Sequence, residues 1–479
     1  MAPARPTRSS RRGSPTRPTT SRCAPSPSAS ASAARKASAA PLPVARPIDE
    51  READGLLAPL ASFATLILAV SGGADSMAML HLVARWSKHH PKKGRRLIAA
   101  TVDHGLRPES RGEAEWVGEQ ACALGLAHEI LTWTGAKPAT GVQDAAREAR
   151  YRLLSQLAQR HRAMGSVAVV TAHTEDDQAE TFLMRLARGS GLDGLAAMSV
   201  SRALDRDADC RLMRPLLAVP GERLKATLQT AGLPWIEDPS NDCDRFERVR
   251  LRKAKTALAA LGLTSDKIAL SARRLERARS ALDHAAATLE TEARLDVHGG
   301  AYASLDAQAF LAAPEEVRLR LLARLIAAFG GQPEPVRLAK LESLAERLDQ
   351  AESPAMTLGG AMVVRRAREV IVHREPGRGS LPEIELAPGE AADWDRRFRV
   401  AADRELAAPV IVAPLGRAGF AKLRQQLGRA PRMPARAAAT LPAFWQQGAL
   451  LAVPTLAWLP WPAAAWSNQA RLCRCEFLG

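Results

Sequence analysis

The run Leu66-Ile67-Leu68-Ala69-Val70 passes without a polar residue into Ser71-Gly72-Gly73-Ala74-Asp75-Ser76, and a helical pattern starts directly behind it. A short apolar run bounded by glycines is a buried strand, and the glycine pair permits the tight turn that follows. Such a strand–turn–helix unit commits this part of the chain to an α/β fold. It also has chemical content. Successive backbone N–H groups at a helix start cradle anions, and the hydroxyls of Ser71 and Ser76 add donors. Asp75 suits a divalent cation held against phosphate oxygens. No Lys follows the glycines as a Walker A loop demands, and G-x-G-x-x-G is missing, so neither of those phosphate motifs applies. An ordinary glycine turn with a Ser cap is the bland alternative. The position between strand and helix, with Asp-Ser behind the glycines, favours phosphate.

The same alternation continues. Residues 97–102 and 167–172 read as buried strands, with a weaker one near 128–131; residues 77–89, 113–124, 142–162 and 175–187 read as helices. This predicts an open, mostly parallel α/β sheet over residues 49–262, with ligands bound beyond the carboxyl ends of its strands. The second strand ends in Val102-Asp103-His104-Gly105, the fourth in Thr171-Ala172-His173-Thr174-Glu175-Asp176-Asp177. His104 and His173 would then converge on the edge that carries the glycine loop. Favourable charge at a helix start accounts for one of Asp176 and Asp177 and less well for both. Paired carboxylates facing a phosphate loop suit Mg²⁺ and nucleotide chemistry.

Composition narrows the setting. The net charge is +16. Nine basic residues and no acid fall in residues 1–48, a Ser/Pro/Ala/Thr-rich stretch expected to be disordered, so sixteen less nine leaves +7 for the remaining 431 residues. That stretch resembles an organellar transit peptide, but the Ala/Arg-heavy usage of the whole chain favours a bacterial extension or an early start codon. Six cysteines without a C-x-x-C pair exclude a disulfide framework, weigh against structural zinc and point to a reducing, cytoplasmic setting. The apolar stretches 56–70 and 449–466 are too short or too Pro-interrupted to cross a membrane.

With these residues in view, the chain resembles the tRNA(Ile)-lysidine synthases of the PP-loop (N-type ATP pyrophosphatase) superfamily. The resemblance rests on Ser71–Ser76 as an SGGxDS loop and on the stretches 102–107, 143–154 (QDAAREARYRLL), 172–184 (AHTEDDQAETFLM) and 188–198 (RGSGLDGLAAM). Arg214-Pro215-Leu216-Leu217 and residues 235–241 extend it, while Val249 stands where many members carry Asn. The resemblance implies ATP and Mg²⁺, free L-lysine, and a CAU-anticodon tRNA(Ile) whose wobble cytidine becomes lysidine, changing the codon read from AUG to AUA. It implies nucleotide binding by Ser71, Gly72, Gly73, Ala74, Asp75, Ser76, His104 and His173. Asp75 and Asp176 are the expected metal ligands, and Asp75, Asp176, Asp177 and Arg248 the catalytic set; Asp176 and Asp177 are not separable on sequence. A homodimer is left open. Other PP-loop enzymes, a tRNA thiolase or a small-molecule amide ligase, are the nearest alternatives, and a non-catalytic RNA-binding protein a more distant one.

In a helix over residues 246–258, Arg248, Arg252 and Lys255 fall on one face, either as a solvated stripe or as RNA-phosphate contacts; the resemblance favours the second. Further on, Ile268, Leu275, Leu282 and Leu289 recur every seven residues, predicting a long amphipathic helix in a mainly helical, tRNA-binding domain over 263–376. Helices over 315–329 and 336–348 and a hairpin from 362–364 and 370–373 follow. Residues 377–479 read as a small α+β domain, with Trp445, Trp458, Trp461 and Trp466 as core more readily than as base-stacking platforms.

Overall fold

The computed structural model describes residues 45–479 except 136, 139, 205–209, 238–246, 351–354, 378–380, 428–432 and 457–471. Nearly all of the basic extension 1–48 lies outside the described residues, as do Trp458, Trp461 and Trp466.

After α1 (Glu50–Leu57), strands β1 (Thr65–Ala69), β2 (Arg96–Asp103), β3 (Ala127–Thr132) and β4 (Val167–Val170) alternate with helices α2 (Ala74–His89), α3 (Ser110–Ala123), α4 (Val142–His161) and α5 (Glu175–Ala187). A short α6 (Leu192–Leu195), strands β5 (Ser201–Ala203) and β6 (Cys210–Met213) and α7 (Gly221–Thr230) complete this part. The sheet order is β3-β2-β1-β4-β6-β5, parallel except for the edge strand β5. All four expected parallel strands are present. Two were not anticipated: Arg211 interrupts the apolar run of β6, and β5 is a three-residue polar edge.

Strand β1 is central because both its faces are covered. Leu66 and Leu68 join one core under α1, α2, α3 and α7, and Ile67 joins another with Leu154, Leu157 and Ala158 of α4. From β1 the chain steps outward to β2 and β3, then returns to β4 on the other side of β1. That reversal opens a crevice at the carboxyl ends of β1 and β4, where doubly wound sheets bind ligands.

Helix α8 (Glu247–Ala260) lies against α5, and the 28-residue α9 (Ser265–Glu292) runs along α5, α6 and then α11 (Glu315–Gly330). Ile268 and Leu289 of the sevenfold repeat are buried and Leu275 and Leu282 half-buried, the apolar stripe the spacing predicts. With α10 (Ala307–Ala312) and α12 (Leu338–Asp349) these helices cover an antiparallel sheet of β7 (Asp296–His298), β8 (Tyr302–Asp306), β9 (Met356–Leu358), β10 (Ala361–Arg365) and β11 (Glu369–Arg374). The expected hairpin is β10–β11.

Beyond it come β12 (Ile384–Leu386), β13 (Ala391–Trp394), β14 (Phe398–Ala402), β15 (Val410–Pro414), α13 (Gly416–Leu427), α14 (Ala435–Ala438), β16 (Pro442–Gln446), β17 (Ala449–Ala452) and β18 (Cys473–Phe477). They form one four-stranded and one three-stranded sheet around a shared core, which takes in Tyr302 and Ile371 of the preceding sheet. Trp445 packs against that core, and Trp394, not anticipated, is its fully buried tryptophan. Among the described residues no helix is long and apolar enough to cross a membrane.

Candidate active site

The glycine loop sits at the end of β1, as its spacing requires. Gly72 has φ +87°, in the left-handed region, and a Cβ there would meet Ile236 Cδ1 at 2.9 Å. The Ile236 N–H donates to Gly72 O at 2.9 Å, so residues 235–236 close over the turn. Ser76 Oγ accepts from the Ser71 N–H (3.1 Å) and donates to Gly73 O (2.9 Å), and the two Ser hydroxyls lie 3.2 Å apart. Gly73 provides α2 with an N-cap that has no side-chain acceptor. The first N–H groups of α2 therefore face the crevice without an internal anion, which suits phosphate oxygens.

Across the crevice, Thr174 caps α5, and a capping box joins it to Asp177, whose Oδ2 accepts from the Thr174 N–H at 3.0 Å. Local helix chemistry thus explains Asp177 Oδ2. It does not explain Asp176, which turns the other way. Its Oδ2 accepts from the Gly221 N–H at the start of α7 (3.1 Å), and its Oδ1 from Lys255 Nζ (2.7 Å) and Ser265 Oγ (2.9 Å). Burial opposes charge on Asp176, but these donors hold its pKa below the ordinary carboxylate value. Asp75 approaches the same point. A Cβ on Gly221 would lie 3.4 Å from Asp176 Oδ2 and 3.5 Å from Asp75 Oδ1.

Among the described residues Asp75 has no comparable set of donors. Burial, then the neighbouring Asp177 charge with a further contribution from Asp176, pushes its carboxyl pKa up to about 6. Lys225 of α7 offsets part of this. Unrelieved negative charge beside an open phosphate cradle is the environment a hard divalent cation relieves. Mg²⁺ commonly uses one or two carboxylates together with substrate phosphates, so the residues fit it, although no cluster of three metal-ligating side chains occurs among the described residues. Asp75 offers open lone pairs, whereas Asp176 is engaged on both oxygens.

The α8 stripe is turned toward these acids rather than spread on an outer face. Arg252 Nε donates to Glu180 Oε1 at 2.6 Å and its Nη2 lies 3.9 Å from Asp177 Oδ1; Lys255 pairs with Asp176. Arg248, half-buried, is close enough to act on the charges of His173, Arg150 and Glu180. Glu180 was not singled out from sequence, although it lies one helical turn beyond Asp176 and Asp177. Gly221 and Lys225 lacked even that signal, since β6 and α7 bring them in from elsewhere in the chain.

The two histidines follow β2 and β4, the strands on either side of β1. Burial pushes the pKa of each down to about 4, so both imidazoles are neutral at neutral pH. His173 Nδ1 is 2.9 Å from Thr171 Oγ1. His104 lies edge-on to Trp133 and 3.5 Å from Arg150 Nη2, in a turn pinned by Asp103, which accepts from the Gly105 N–H (2.9 Å) and the Ser110 hydroxyl (2.7 Å). His104 thus belongs to the α4 side of the crevice.

Residues 46–257 match the family model of the PP-loop domain. The tRNA(Ile)-lysidine synthase of Bradyrhizobium diazoefficiens is 49% identical over 360 residues, covering 73% of this chain and 97% of that protein. That of Ruegeria pomeroyi is 38% identical over 395 residues, covering 81% of this chain and 87% of its own length. The chain belongs to the tRNA(Ile)-lysidine synthase family. As a lysidine synthase with a PP-loop domain it is an ATP-dependent, tRNA-modifying ligase. The thiolase, amide-ligase and non-catalytic alternatives give way to that assignment.

Proposed function

We propose that this ligase joins lysine to C2 of the wobble cytidine in the CAU anticodon of tRNA(Ile), in the bacterial cytoplasm. The observation that carries the reading is the convergence of an uncapped phosphate loop with the carboxylates of Asp75, Asp176 and Asp177 at one sheet crevice. In the first half-reaction the C2 carbonyl oxygen attacks the α-phosphate of ATP and pyrophosphate leaves. In the second, the lysine ε-amine attacks C2, AMP leaves, and the amine's surplus proton passes to a carboxylate or water.

Residues Ser71–Ser76 hold the β- and γ-phosphates through the α2 N–H groups and the Ser hydroxyls. Asp75 would be the first carboxylate to hold Mg²⁺, with Asp176 beside it. When bound, Mg²⁺ neutralises charge on the departing pyrophosphate. Asp177 is the better candidate for the lysine amine, since its Oδ1 has only Arg252 Nη2 at 3.9 Å while Asp176 is held by three donors. His104 and His173 line the nucleotide as neutral hydrogen-bonding groups. Arg248 supports the reacting phosphate, and Arg248, Arg252 and Lys255 contact RNA phosphates once substrate displaces their present carboxylate partners. Residues 49–262 form the catalytic domain, and 263–376 and 377–479 two further domains that hold the tRNA.

The direct test is mass spectrometry of a CAU-anticodon tRNA after incubation with the protein, ATP and isotope-labelled lysine. The expected product carries one labelled lysine on the wobble nucleoside, with AMP and pyrophosphate released. ATP turnover without label in the RNA would sink the ligase reading.

A further inference from the structure

On the α4 side of the strand ends, within electrostatic reach of His173, a group of cations surrounds Tyr151. Arg147 and Arg150 come from α4, Arg202 from β5, and Arg214 follows β6. The guanidinium carbons of Arg147 and Arg202 each lie 5.3 Å from the centre of the Tyr151 ring. Arg214, 3% exposed, reaches the Tyr151 hydroxyl and donates from Nη1 to Ser199 O at 2.8 Å, while its Nε is buried without a partner. Among the described residues no ion pair joins Arg147, Arg150, Arg202 or Arg214 to a carboxylate. The charges that act on Arg150 and Arg214 are Tyr151 and other arginines.

Like charges gathered in a partly desolvated place cost stability, and ordinary surfaces spread them or pair them. Here Arg147 and Arg202 are exposed while Arg214 is buried, so the charge is graded from solvent into the fold. Arg150 is accessible to solvent yet has enough protein around it to depress its pKa by burial. Planar guanidinium forks match phosphate oxygens, and the phenol adds a hydroxyl. A nucleotide triphosphate already has the glycine loop at the start of α2, on the opposite face of the sheet from α4.

We propose that Arg147, Tyr151, Arg202 and Arg214 form a cradle for the phosphodiester backbone of the RNA beside the target base. This rests on the RNA-ligase reading, and it adds to the α8 stripe a second grip on the other side of the crevice. With grips on both sides, the single-stranded loop would be held while its base enters between them.

The test uses the full chain, the double variant R147Q/R202Q and its conservative counterpart R147K/R202K. Binding of a CAU-anticodon tRNA transcript and of a short oligouridylate is measured across a salt series, with ATP binding measured in parallel. R147Q/R202Q is expected to bind both RNAs about tenfold more weakly, with a salt slope flatter by roughly 1.4, or about 0.7 per lost single-strand contact. ATP affinity should stay within about twofold, and R147K/R202K should keep the slope while losing part of the affinity. Unchanged RNA affinity and slope would overturn the cradle. Lost ATP binding with intact RNA binding would also overturn it, assigning the cations to the nucleotide. A wild-type protein that binds oligouridylate through these arginines yet ligates no lysine would break the ligase reading and leave the cradle standing.

Discussion

The carboxylates at the strand ends and the buried charges of the C-terminal part use the same residue types and reach opposite states. At the crevice, Asp75, Asp176, Asp177 and Glu180 meet Arg252, Lys255 and the more distant Lys225 and Arg248, but the close ion pairs fall on Asp176 and Glu180. Asp75 is left with a raised pKa and an open approach. In the C-terminal cluster, Asp395 accepts from Arg374 Nε (2.9 Å) and Nη2 (3.1 Å) and from Arg397 Nε (2.7 Å). The remaining donors are largely spent on backbone: Arg397 Nη2 on Thr440 O (2.6 Å) and Arg374 Nη1 on Gly360 O (2.8 Å). Burial pushes the Arg397 pKa down to about 10, so the guanidinium stays charged at neutral pH. Asp395 and Arg396 have φ +49° and +55°, the positive pair a tight β13–β14 hairpin needs. Charge left unbalanced at an open edge marks a place for ligands. Charge tied into a shared carboxylate and backbone carbonyls within the fold locks two sheets together.

The sharpest way to break this contrast is Asp75→Ala. The expected loss in lysine incorporation is on the order of 10³-fold. Thermal stability should hold or rise, because an unfavourably buried carboxylate is removed. A marked fall in melting temperature would place Asp75 with the structural charges. Asp395→Asn should do the reverse. It leaves Arg374 and Arg397 without their anion in a buried site, at a cost of about 3–5 kcal/mol. Urea unfolding followed by hydrogen exchange in β13 and β14 reads this, while ligation per folded molecule should change little. Intact stability with lost RNA binding would move this cluster to the functional side.

The two regions also differed in how much could be read beforehand. Strands β1, β2 and β4 are apolar runs because each is covered on both faces, so composition alone marks them. The Thr174-Glu175-Asp176-Asp177 cap placed the start of α5 at the correct residue. What sequence could not separate was Asp176 from Asp177. Their difference depends on the Gly221 N–H, 45 residues away, and on Lys255 and Ser265 from two further helices. The arginine face of α8 was legible as a face, but its direction toward Glu180 and Asp176 is a tertiary fact. Strand β6 escaped because Arg211 breaks its apolar run. In the C-terminal part the β10–β11 hairpin was legible from its Val-rich stretch, whereas nothing in the sequence singled out Asp395. Its burial arises only when two sheets close on it.

The pH dependence separates the clusters most finely. The Asp75 pKa of about 6 stands above its ordinary 3.8, so the folded state favours the protonated carboxyl. The ligand-free protein therefore loses the stability that goes with that proton as pH rises from below 4 through 6. Catalysis runs the other way, because the reactive form is the carboxylate: kcat/KM should fall as pH drops through about 6. Asp177→Asn removes the largest nearby charge that raises Asp75, while burial, the greater cause, stays. Whatever it does to the maximal rate, this variant should move the acid limb to lower pH, by ~1 unit at most. Asp176→Asn should move it less, since Lys255 already offsets the Asp176 charge. A limb that moves equally in both variants would mean that the three carboxylates titrate as one group. A limb that stays in place in both would assign it to a residue other than Asp75.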